Sequence, residues 1–303
     1  MSTTTAAELF DPAFVRGLEG LRMLARSVPA GGRHAEQRSR ARGAGQEFTD
    51  VRAYVAGDDF RTVDWHVFLR LDKVFVRLFL EDQDLPVYFV LDQSASMARQ
   101  AAAPGAMSRS VVARRVVAAL AYVALNHMDR VAVFPFASEP LRGLPGLSGK
   151  GAFQRLLAWL AALPATGGTG LCEALRSFGA RRLRRGLCVV VTDGFDARGA
   201  DAVLAELRRL PHRPLIVRPV HAGEDRPEHL RGEIRAVDCE SGQHLELSVD
   251  DALLDRYRAA YRKFEEELAA FAQSRGGGYL AVRTDQPLLP QLAQVFQHGV
   301  LTV

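Results

Sequence analysis

Apolar positions along the chain change their rhythm near residue 85. Beyond it, short continuous apolar runs alternate with stretches of helical period. Residues 87–91 (VYFVL) and 187–191 (LCVVV) are apolar throughout, as expected of strands covered on both faces. The spacing predicts further strands over 130–136, 215–220 and 279–282. It predicts helices over 108–126, 151–163, 171–183, 201–210, 250–273 and 288–297. Ser108 or Ser110 is placed to cap the first of these, and Asp250 the long one. The glycines at 276–278 end that helix, as glycine does beyond a C-terminus. Strands alternating with helices imply crossover connections, and hence an α/β fold with a doubly wound, mostly parallel sheet. Residues 231–249 break the rhythm and read as an inserted hairpin turning near Ser241 and Gly242.

Upstream of residue 85 the pattern is different. Phe14, Val15, Leu18, Leu21, Leu24 and Ala25 fall on one face of an amphipathic helix within residues 1–28. Residues 30–46 are rich in Gly and Arg and have no period. Residues 47–84 mix aromatic and charged side chains, with one alternating strand from Val74 to Leu80 and turns before it. The reading is therefore three parts: an N-terminal helix (1–28), a linker with a small β-rich leader region (29–84), and the α/β domain (85–303).

Composition narrows the class. Of 303 residues, 48% are hydrophobic and 24% charged, the profile of a globular protein with a core of its own. Three cysteines without a CxxC pair argue against both a disulfide framework and a thiolate metal site, and Cys188 reads as core. The longest apolar run, 116–125, is half the length of a membrane span, so the expectation is a cytoplasmic protein with no span. A net charge of +4 is too mild to point to nucleic acid.

The chemistry gathers at strand ends. The first buried strand runs into Asp92-Gln93-Ser94-Ala95-Ser96, and the later one into Thr192-Asp193-Gly194. Between them, Gly167-Gly168-Thr169-Gly170 opens a helix, with Thr166 as a second candidate hydroxyl. In an open parallel sheet the loops after the strand C-termini form the ligand crevice. Two carboxylates and three hydroxyls then meet there, a hard oxygen set suited to Mg²⁺ or Mn²⁺. Either aspartate alone is more simply a turn or cap residue.

The ordered set Asp92, Ser94, Ser96, Thr169 and Asp193 resembles the metal-ion-dependent adhesion site of von Willebrand factor A domains. That resemblance implies a von Willebrand factor A-like fold. It also implies an ion held by the hydroxyls and aspartates, directly or through water, with one position left for a partner's Asp or Glu. The leader resembles that of a bacterial family called domain of unknown function fifty-eight. The match is carried by Gly45-Gln46-Glu47-Phe48, Arg52-Ala53-Tyr54, Gly57-Asp58-Asp59, Arg61 and Asp64-Trp65, and the resemblance spans roughly residues 40–230. That resemblance implies a MoxR-type AAA+ ATPase as partner.

The expected function is a metal-ion-dependent protein-binding module, adaptor or substrate presenter, and not an enzyme. The alternatives are a metal-dependent hydrolase and an RNA-binding module using Arg33, Arg38, Arg40 and Arg42. The hydrolase lacks a GxSxG elbow, an HExxH pair or a P-loop. Asp58, Asp59 and Asp64 are expected to pair with Arg52, Arg61 or Arg70, with Trp65 as a packing anchor. The arginines of 181–185 suit a helix C-terminus, and His212 and His221 are expected at the surface or in loops.

Overall fold

The computed structural model describes residues 9–27, 42–43, 47–56, 58–80, 86–99, 105–127, 129–149, 151–165, 167–240 and 242–297. The chain divides into two compact units, one made mainly of residues 1–28 and 85–301, the other of residues 29–84. Helix α1 (Pro12–Ser27) belongs to the first.

The smaller unit is a three-stranded antiparallel sheet of β1 (Arg42–Gly43), β2 (Glu47–Ala53) and β3 (Phe75–Leu80), in the order β1-β3-β2. Helix α2 (Trp65–Leu71) lies between β2 and β3 in sequence. The stretch before β3, expected to be turns, thus contains a seven-residue strand and a helix. Aspartates set its local geometry. Asp58 is gripped by both terminal nitrogens of Arg52, at 2.6 and 2.8 Å. Asp59 accepts the Arg61 amide and opens a single 3-10 turn. Asp64 caps α2 by accepting the His66 and Val67 amides, and its other oxygen accepts Arg77 Nε at 2.8 Å. Its ion-pair partner is therefore Arg77 on β3, not Arg52, Arg61 or Arg70. Trp65 is not the expected anchor: as the first residue of a short helix it stays 57% exposed.

In the larger unit a six-stranded sheet runs in the order β11-β8-β7-β4-β5-β6. Its strands are β4 (Pro86–Asp92), β5 (Arg130–Phe136), β6 (Leu144–Leu147), β7 (Leu187–Val191), β8 (Arg213–Val220) and β11 (Gly278–Arg283). All neighbours are parallel except β5 and β6. The antiparallel edge strand β6 was not legible because Pro145 and Gly146 interrupt it, and such residues are tolerated at an edge.

A one-turn helix, α3 (Ala95–Ala98), follows β4, and longer helices cover both faces of the sheet. Alternate strand residues (Val87, Phe89 and Leu91; Leu187, Val189 and Val191) pack under α1, α4 (Arg109–Asn126), α5 (Ala152–Ala161) and α9 (Leu288–Gln297). The intervening residues (Tyr88 and Val90; Cys188 and Val190) pack under α6 (Leu171–Ala180), α7 (Ala200–Arg209) and α8 (Asp251–Ser274). Residues at i and i+2 share a face of a strand, so a continuous apolar run is what a sheet covered twice requires. Ser108 caps α4 and Asp250 caps α8, each accepting an amide three residues on. Helix α5 stops short of the expected residue 163 because Pro164 disfavours helical backbone before it. Helix α6 stops before 183 because Arg182 turns left-handed, at φ +47°. His212 is buried, against expectation: its Nδ1 accepts the Gly186 amide and its ring packs on Tyr88 and Phe178. The hairpin of β9 (Gly232–Val237) and β10 (His244–Val249) is paired in full antiparallel register.

The Asp64–Arg77 pair gives the smaller unit an acid sensitivity of known sign. Chiefly through Arg77, the Asp64 carboxyl is held down to about 2, below its ordinary 3.8. Stability from the pair is then present above pH 3.8 and is lost as the pH falls toward 2. Replacing Arg77 by Met should move the acid transition of Trp65 fluorescence to higher pH, read in a Trp159→Phe background. Coincident acid transitions would show that the pair contributes nothing.

Candidate metal centre

β4 and β7 lie side by side, residues 87–91 in parallel register with residues 187–191. The chain leaves them in opposite directions across the sheet, from β4 toward β5 and from β7 toward β8. Their carboxyl ends therefore bound a topological switch point, where open α/β sheets form a crevice. Asp92 stands in it as the last residue of β4, and Thr192 and Asp193 follow β7.

The two aspartates are almost completely out of water. Asp92 Oδ1 accepts the Ser94 amide at 2.9 Å, and Oδ2 accepts the Thr192 hydroxyl at 2.6 Å. Asp193 accepts the Phe195 amide through Oδ1 at 3.2 Å and the Ser96 hydroxyl through Oδ2 at 3.1 Å. Ser94 Oγ and Ser96 Oγ are 2.9 Å apart. Since the one Ser96 proton is directed to Asp193, Ser94 is the donor in that contact. Asp92, Ser94, Ser96 and Asp193 thus form one hydrogen-bonded cluster.

Burial first, and then the neighbouring charge of Asp193, push the Asp92 carboxyl far above the usual carboxylate range. Asp193 is raised too, by burial, although Arg109 opposes the shift from 3.8 Å away. Arg109 also pairs with Glu224, at 2.7 Å.

Thr169 stands apart from the cluster in its bonding. Its loop is joined to the first loop by the Ala95 amide, which donates to the Gly167 carbonyl at 2.8 Å. Gly167 has φ +90°, and a Cβ on Gly170 would lie 2.6 Å from the Ser138 carbonyl oxygen, so this turn requires glycine at both positions. The Thr169 hydroxyl donates to Glu240 at 2.6 Å, and its amide donates to the same carboxylate at 2.7 Å. Thr166, the other candidate, lies outside the described residues, as do Arg33, Arg38 and Arg40.

Several residues that position the site carried no sequence signal. Arg218 on β8 is fully buried, donates through Nε to the Asp193 carbonyl at 2.8 Å, and lies over the rings of Phe195, Tyr261 and Phe264. Such a stack partly replaces the water a buried guanidinium loses. Gln93 accepts Arg114 Nε at 2.9 Å, which ties the first loop to α4. An arginine in a β-strand or a helix reads as a surface residue until the tertiary neighbours are known.

Among the described residues no group of three or more His, Cys, Asp and Glu is placed to hold a metal ion. Any cation here would have to draw on hydroxyls as well as the two carboxylates. The donor set fits a hard divalent ion: its side chains offer only oxygen, and a cation would relieve the repulsion between two buried carboxylates.

Comparisons with known proteins place the chain in a family. The family described as protein of unknown function DUF58 matches residues 50–267. The chain belongs to that family. Uncharacterized proteins of Mycobacterium bovis and Mycobacterium tuberculosis are 25% identical to this DUF58 chain over 292 residues, covering 95% of it and 90% of theirs. Among solved structures, an aerotolerance-related membrane protein from Bacteroides fragilis is 16% identical with a TM-score of 0.43, over 71% of this chain and 98% of that one. The Ro (RSR) protein of Deinococcus radiodurans is 15% identical with a TM-score of 0.35, over 98% of this chain and 48% of that one. Among the described residues no helix is long and apolar enough to cross a membrane.

The raised Asp92 carboxyl has a consequence for the metal-free protein. A carboxyl whose folded pKa lies above its unfolded 3.8 contributes stability that is complete below 3.8 and is lost as the pH rises through the folded value of about 7. In the presence of chelator, Asp92→Asn should flatten this loss, measured as urea midpoints across the range. Parallel pH profiles for the variant and wild type would show that the two carboxylates are not in conflict.

Proposed function

We propose that this DUF58 protein binds Mg²⁺ or Mn²⁺ through Asp92, Ser94, Ser96, Thr169 and Asp193. The site would work as the metal-ion-dependent adhesion site of a von Willebrand factor A-like domain. The observation that carries the reading is the hydrogen-bonded cluster of Asp92, Ser94, Ser96 and Asp193 at the sheet's switch point, with both carboxylates out of water. Two features of that cluster favour a cation. The Ser96 hydroxyl gives its proton to Asp193 and the Ser94 hydroxyl gives its proton to Ser96, so each keeps a lone pair for an ion. Two buried like charges are costly unless something positive joins them, and Arg109 reaches only one of them.

An ion held this way keeps a position for an outside ligand, and a protein partner's Asp or Glu is the hard oxygen donor that suits it. On this reading the protein is a binding module, not an enzyme, that presents its metal face to a partner in the cytoplasm. The resemblance of its leader and site to MoxR-associated relatives makes a MoxR-type AAA+ ATPase the partner to test first.

Calorimetric titration of Mg²⁺ and Mn²⁺ should show saturable binding to the wild type and none to Asp92→Ala. Capture of the ATPase should then require the metal, fail with chelator and fail with Asp92→Ala. Equal heats from wild type and variant would remove the metal from the account.

A further inference from the structure

We infer that Glu240 is a tethered carboxylate that closes the cation site from within the same chain, in the place a partner's Asp or Glu would take. The inference rests on the cation-binding reading given above. It begins from the one proposed ligand that the Asp92–Asp193 cluster does not absorb. Thr169 directs both its hydroxyl and its amide to Glu240, at 2.6 and 2.7 Å. Gly168 leaves room for that approach, since a Cβ there would sit 3.5 Å from Glu240 Oε2.

Glu240 comes from far along the chain, at the turn between β9 and β10. The turn is built to present it. Asp238 accepts the Glu240 amide through Oδ1 at 3.0 Å, and its carbonyl accepts the Gly242 amide at 2.9 Å. The two strands behind the turn are largely exposed, with only Val249 buried among the described residues of the hairpin. A two-stranded hairpin with so little buried surface is marginally stable by itself. Its tip can therefore be displaced at modest cost.

The chemistry of the contact matches that of a ligand exchange. A threonine hydroxyl that donates to a carboxylate still has lone pairs for a cation, so an ion at Thr169 would find the Glu240 carboxylate beside it. Tethering gives that carboxylate an effective concentration on the order of millimolar, enough to exclude weak free carboxylates. A partner that engages the ion would have to displace Glu240 and release the hairpin.

The test is Mn²⁺ binding to the full chain, read by calorimetry and by the water-proton relaxation of the bound ion. Glu240→Gln keeps the size of the side chain, and circular dichroism checks its fold. Glu240→Asp, which shortens the reach, is the second variant. Loss of one charged ligand should weaken Mn²⁺ binding about tenfold and admit about one more water to the ion, in both variants. Acetate should then lower the relaxation of Glu240→Gln and leave the wild type unchanged. Asp92-dependent Mn²⁺ binding with the same affinity and hydration in wild type and both variants overturns the role of Glu240 and leaves the proposed function standing. No Mn²⁺ binding to the wild type overturns both.

Discussion

Two carboxylates on adjacent parallel strands, both out of water, set the terms for the structure around them. Asp92 and Asp193 are brought together because β4 and β7 are hydrogen-bonded neighbours that end at the same edge. Like charges placed there repel, and burial adds to the cost of ionising either. Much of the surrounding structure answers that cost. Thr192, Ser96 and the Ser94 and Phe195 amides donate to the two carboxylates, and Arg109 supplies a nearby positive charge.

The wider fold supports this arrangement by making it rigid. The strands that carry the aspartates are central in the sheet and covered on both faces, so neither loop can retreat without disturbing a packed core. Arg218, stacked against the rings of Phe195, Tyr261 and Phe264, holds the Asp193 carbonyl. Gly194 follows with φ +85°, and a Cβ there would come within 3.0 Å of the Phe264 ring, so the turn that aims Asp193 depends on glycine. For the proposed cation site, this preorganisation means that binding would not have to begin with a rearrangement of the oxygen cluster.

The peripheral elements differ in character from this centre. The β9–β10 hairpin is mostly exposed, yet its turn reaches the loop that carries Thr169. In the proposed exchange, a partner's carboxylate would replace Glu240 above a rigid floor, and the exposed hairpin would move with it. The energetic difference between the two states is then set by one side chain and the small surface of a hairpin.

What the sequence determined by itself was whatever depends on near neighbours in the chain. Unbroken apolar runs marked β4 and β7 as doubly covered strands, because a strand buried on both faces has no polar side to show. Helical period and capping residues located α4, α8 and α9 within a residue or two. That Asp92, Ser94, Ser96 and Asp193 would meet could be expected because each follows a buried strand of a parallel sheet, whereas the Thr169 hydroxyl goes to Glu240 and not into their cluster. Only the tertiary structure decided the pairings between distant residues: Asp64 with Arg77, His212 under Gly186, Arg218 against Asp193, and Glu240 against Thr169. A charged residue has many possible partners of opposite sign. Which one it meets follows from strand order and loop path, and sequence spacing carries no record of either.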